Sequence, residues 1–63
     1  MPLVEIKLYD TRVNDENDTV RKLIEKVTDA VVECTSEAIR DETWVVVQGI
    51  PKQQWGFGGK QQG

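Results

Sequence analysis

Pro2 directly follows Met1. Initiator methionine is commonly removed before a small second residue, and proline qualifies. The mature chain is therefore expected to open on a free secondary amine, held by its own ring with no side-chain rotamers to freeze. An α-amino group titrates near ~7.7–8 in peptides. An apolar pocket or a nearby cation disfavours the ammonium form and moves that value toward neutrality. A base poised near the working pH is what proton shuttling needs. Arg12 lies ten residues further on. Its planar fork suits a substrate carboxylate; as a loop arginine it also reads as simply solvated. Trp44 and Trp55 are the two largest apolar groups. Trp44 suits a core or an interface. Trp55 sits in a glycine-rich tail, Gln53-Gln54-Trp55-Gly56-Phe57-Gly58-Gly59, where a core role is harder to arrange, so it reads as an interface anchor or the wall of a site.

Other chemistries lack their residues. There is no His and one Cys, which excludes His-based mechanisms and an intramolecular disulfide, and no structural zinc site is expected. Cys34 falls on an apolar helical stripe with no histidine to activate it, and reads as packing. The carboxylates form no evident pair for glycosidase-type acid catalysis. The run Gly56-Phe57-Gly58-Gly59 lacks the spacing and the following Lys-Ser/Thr of a phosphate loop. Nothing in the sequence calls for a metal or an organic cofactor.

The elements that must position these residues are few. Leu3 to Tyr9 reads as a strand, with Val4, Ile6 and Leu8 on one face and Leu3, Glu5, Lys7 and Tyr9 on the other. Asp10 to Asn17 is polar and reads as a loop, with Asp15 or Asn17 able to cap the next element. Val20, Leu23, Ile24, Val27, Val31 and Cys34 recur at three- and four-residue steps, the stripe of an amphipathic helix over about 18–35. Thr35 to Glu42 reads as a connecting loop. Trp44-Val45-Val46-Val47 lies in a second strand over about 43–49. That run does not alternate, so both of its faces are expected to be covered. Ile50-Pro51 ends the strand, since proline cannot donate to a ladder. The glycine-rich tail reads as a short hairpin or bulged turn. The reading is an α+β fold: a single domain over 1–63, built as a β-α-β subunit with two parallel strands, one long helix and a C-terminal hairpin.

Sixty-three residues make one small domain. Such a domain buries only ~60% of its unfolded surface and usually needs disulfides, a metal or partner subunits. The sheet face with Leu3, Tyr9 and alternate residues of the 44–47 run would be bare in one chain, so a partner is expected to cover it, through sheet and helix packing. With 8 Lys and Arg against 11 Asp and Glu, the net charge is −3, which offers no footprint for nucleic acid or an anionic membrane. No apolar run approaches the ~20 residues of a membrane span. A cytoplasmic location, with Cys34 reduced, is the default expectation.

Taken together, Met1-Pro2, the strand Leu3-Val4-Glu5-Ile6-Lys7-Leu8, Arg12, the stripe Leu23-Ile24…Val27, the valine-rich second strand and Trp55-Gly56-Phe57-Gly58-Gly59 resemble the 4-oxalocrotonate tautomerase family. The resemblance spans nearly the whole chain. It implies β-α-β subunits in a homohexamer, a trimer of dimers, with active sites at subunit boundaries. It further implies a cofactor-independent keto–enol isomerase acting on a small unsaturated mono- or dicarboxylate such as 2-hydroxymuconate. By position, Pro2 would be the catalytic base and acid, Arg12 would hold a carboxylate, and Trp55 would supply the apolar wall. Typical members carry a second arginine eleven positions before that aromatic; here the position is Trp44, with Arg40 close by as a candidate replacement. The loop after Arg12 is a few residues longer than in the type enzyme. These departures keep open a hydratase or dehalogenase of the same fold, and a non-catalytic subunit of a mixed hexamer.

Overall fold

The computed structural model describes residues 1–13 and 16–63. Strand β1 (Leu3–Tyr9) leads into a one-turn helix α1 (Asp10–Val13), followed by the long helix α2 (Thr19–Cys34), a 3₁₀ turn (Glu37–Glu42) and strand β2 (Trp44–Ile50). A second 3₁₀ turn (Lys52–Gln54) precedes a hairpin of β3 (Gly56–Phe57) and β4 (Lys60–Gln61). β1 and β2 pair in parallel, from Leu3 opposite Trp44 to Tyr9 opposite Ile50. This is the expected α+β arrangement, a β-α-β unit with an antiparallel hairpin at its end.

Alternation decides the faces. Val4, Ile6 and Leu8 of β1 and Val45, Val47 and Gly49 of β2 are half-buried, because they point to the helix side. α2 lies against β2 there, presenting Val20, Leu23, Val27, Val31 and Val32. Val32 alone among the described residues is buried. α1 packs on the same side: a Cβ added at Gly49 would meet the Val13 side chain and would stand 3.1 Å from the Asp10 Cα. Glycine is what lets the one-turn helix lie on the strand.

The opposite face is open at one end. Leu3 is 55%, Trp44 57% and Val46 45% exposed. The expectation that both faces of the Trp44–Val47 run are covered therefore fails within one chain, where only one face has a helix on it. The chain is also extended. Its radius of gyration is 14.3 Å, against about 10.6 Å for a compact domain of this length. Its accessible surface is 4952 Å², against about 4,100 Å² for a compact monomer of this mass. The excess is on the order of the ~800 Å² that each partner contributes to a standard protein interface.

Several local expectations are corrected. α2 runs one residue short of the expected 18–35 at each end, and β2 is shifted one residue toward the C-terminus. The position before α2 belongs to Asp18, in the left-handed region at φ 55 with no side-chain cap. Asn17 is not the cap, and Asp15 lies outside the described residues. Cys34 is exposed rather than packed, since the helix face turns so that Val32 takes the buried place. Part of the expected 10–17 loop is α1, and most of the 35–42 loop is a 3₁₀ turn. Tyr9 belongs to the outer face, but it is half-buried there rather than bare. In the tail, Gly58 (φ 59) and Gly59 (φ 83) form the two-residue turn whose central residues both need positive φ.

Candidate active site

The parallel pairing fixes where the candidate residues stand. Pro2 precedes β1, at the amino end of the sheet. It is half-buried, and its carbonyl accepts a hydrogen bond from the Trp44 N–H at 3.0 Å. That bond continues the ladder by one step and pins the residue beside the start of β2. Arg12 lies beyond the other end of β1, on α1. Seven strand residues rise about 23 Å, so Pro2 and Arg12 of one chain cannot meet on one small substrate. Arg12 is exposed and has no ion-pair partner among the described residues.

Trp55 stands at the same carboxyl end as Arg12. Pro51 stops β2, one 3₁₀ turn follows, and the Trp55 backbone N–H closes it onto the Lys52 carbonyl at 3.0 Å. The indole N–H donates to the Ile50 carbonyl at 3.1 Å, which satisfies a half-buried aromatic donor. The Trp55 and Tyr9 rings meet edge to face, with centroids 5.0 Å apart and planes at 67°. The Lys52 ammonium lies 5.4 Å from the Tyr9 ring centroid. Tyr9 and Lys52 were not singled out from sequence as parts of a site. An aromatic ending a strand, opposite a Pro-Lys turn that leads to a tryptophan, is the signal that could have found them.

Arg40 lies at the opposite end, on the turn before β2. Its guanidinium donates to Glu37 Oε1 at 2.7 Å and to Asp29 Oδ1 at 2.8 Å, with a longer contact to Glu37 Oε2 at 3.4 Å. It thereby ties the 3₁₀ turn to α2. Hydrogen bonding to Arg40, with the guanidinium charge behind it, holds the Glu37 carboxyl below its ordinary range. Hydrogen bonds to Glu37 and then Asp29 hold Arg40 above its own ordinary value.

The candidate residues thus fall into two groups: Pro2 and Arg40 at the amino end of the sheet, Arg12 and Trp55 at the carboxyl end. Two grooves lie on the helix side of the described residues. One, of about 450 Å³, is lined by Val13, Val20, Arg21 and Ile24 among others; another, of about 280 Å³, is lined by Ile24, Glu25, Thr28, Asp29 and Arg40. Neither gathers Pro2, Arg12 and Trp55. No cluster of three or more His, Cys, Asp or Glu suited to a metal ion forms among the described residues, and no helix in them is long and apolar enough to cross a membrane.

Comparison with solved structures finds the same fold repeatedly. DmpI from Helicobacter pylori superposes with a TM-score of 0.78 at 25% identity, covering 95% of this chain and 94% of that one. The SAR1376 protein of methicillin-resistant Staphylococcus aureus gives 0.78 at 28% identity, covering 97% and 92%. A structure from work on the 4-oxalocrotonate tautomerase isozymes of Methylibium petroleiphilum gives 0.75 at 32% identity, covering 95% and 90%. No curated protein matches. A family model described as tautomerase enzyme matches residues 2–63, beginning at Pro2. The chain belongs to the tautomerase family.

Proposed function

We propose that the chain is a keto–enol tautomerase of a small unsaturated carboxylic acid, with 2-hydroxymuconate as the type substrate and Pro2 as the base. Removal of Met1 turns the proline nitrogen from an amide into a secondary amine. The amine takes the proton from the dienol hydroxyl. Electrons shift through the conjugated chain, and a proton returns from the ring nitrogen to a distant carbon. The product is the conjugated 2-oxo isomer, with no atoms gained or lost and no cofactor consumed.

The observation that carries this reading is the family match starting at Pro2, on a residue whose carbonyl is tied to β2. That tie fixes the nitrogen at the sheet edge instead of leaving it on a loose terminus. Because Pro2 and the Arg12–Trp55 group stand at opposite ends of one sheet, the reading requires a neighbouring copy to bring its proline to this chain's arginine and tryptophan. The open face of Leu3, Trp44 and Val46 supports such an assembly, read here as a homohexamer, a trimer of dimers. Arg12 then holds a carboxylate, and Trp55 excludes water around the amine and lowers its pKa.

The test is ketonisation of 2-hydroxymuconate by Met1-free protein, followed by absorbance. Pro2→Ala is expected to lower kcat/KM by ~10²–10⁴, the usual worth of a general acid–base group. Undiminished turnover by Pro2→Ala overturns the assignment.

A further inference from the structure

The tautomerase reading places one cation, Arg12, at the substrate and leaves open what meets a second carboxylate. Arg40 stands at the amino end with Pro2, and its guanidinium is already engaged by Glu37 and Asp29. Lys52 stands at the carboxyl end. Its ammonium is held over the Tyr9 ring at 5.4 Å, and that ring touches Trp55 at 5.0 Å. No carboxylate pairs with it among the described residues. A cation held by a π face keeps its charge and its hydrogen-bond donors available to an anion.

Arg12 and Lys52 also stand on different sides of the sheet end. α1, which carries Arg12, packs on the Gly49 side. Tyr9, under Lys52, belongs to the opposite face by the alternation of β1. The strand ends lie between them, and Trp55 packs against Tyr9 on the Lys52 side. Cations on opposite sides of such an end suit two anionic groups at the two ends of one ligand.

We propose that Lys52 binds a second carboxylate of the substrate, and that the chain selects unsaturated dicarboxylates over monocarboxylates. The inference rests on the tautomerase reading for the reaction, but its test separates the two. Met1-free wild type, Lys52→Gln and Lys52→Arg are compared on 2-hydroxymuconate and on the monocarboxylate 2-hydroxypenta-2,4-dienoate. Lys52→Gln should raise KM for the dicarboxylate about tenfold, the worth of one charge-assisted contact. Its kcat should hold, the monocarboxylate should be unaffected, and Lys52→Arg should restore most of the loss. Equal effects on both substrates, or on neither, overturn the role of Lys52 and leave the tautomerase reading standing. Absence of turnover of either substrate by wild type overturns the tautomerase reading instead. In that case binding of inert muconate, followed by tryptophan fluorescence, still decides on Lys52: an affinity about tenfold weaker in Lys52→Gln supports the contact, and an unchanged affinity refutes it.

Discussion

Gly49→Ala is the sharpest probe of how the chain presents Arg12. The new methyl would overlap the Val13 side chain and approach the Asp10 Cα to 3.1 Å. Val13 cannot easily yield, because a β-branched residue in a helix has one strongly preferred rotamer. The backbone of Asp10 cannot yield without moving α1 off β2. Overpacking of this kind destabilises by ~1–3 kcal/mol. With a urea slope of about 1 kcal/mol/M for so small a domain, the unfolding midpoint should fall by roughly 1–3 M at fixed protein concentration. Val13→Ala in the same chain removes the larger overlap but not the approach to Asp10, so it should recover part of the loss. KM should rise alongside, since α1 carries Arg12. An unchanged midpoint in Gly49→Ala, or a double variant no better than the single one, refutes this account of α1.

Two other perturbations address the open sheet face and the Arg40 tie. Val46→Glu puts a carboxylate on the exposed face, directly opposite Glu5 in the β1–β2 register. Like charges there repel, and burying an unpaired carboxylate costs several kcal/mol, so sedimentation should show dissociation, with activity falling in step. A fully active monomer would contradict a site shared between copies. Arg40→Gln should leave turnover unchanged but lower the melting temperature, and by less in high salt. Because the folded-state pKa of Glu37 lies below its ordinary value of 4.5, the stability it contributes is complete above that value and is lost as pH falls through the lowered one. The difference between wild type and variant should therefore be present at neutral pH and fade in strong acid; a difference that grows on acidification rules the ion pair out as its source.

Much of the fold was legible because periodicity carries it. The alternation of Val4, Ile6 and Leu8 names the helix-facing side of β1. The steps from Val20 to Val31 place α2 to within a residue at each end. The Gly58-Gly59 pair marks the hairpin. What escaped was short or tertiary. The turns over Asp10–Val13 and Glu37–Glu42 are too brief for a hydrophobic period to emerge. Cys34 is spaced like the apolar stripe, yet in the last turn of α2 the buried place falls to Val32. The tie from Arg40 to Asp29 spans eleven residues and has no local signature. Of the candidate site, Pro2, Arg12 and Trp55 are readable as chemical types, and Trp55 as a residue needing cover. Their division between the two ends of the sheet appears only with the parallel register. The Tyr9 ring beneath Lys52 likewise depends on the turn after Pro51, which propensity alone does not aim.

The most direct test is titration of the Pro2 nitrogen by ¹⁵N NMR, in Met1-free protein in its native assembly. The account predicts a midpoint below the ~7.7–8 of a free α-amine, because apolar neighbours and a cation at the shared site disfavour the ammonium form. A midpoint at or above that range would contradict it.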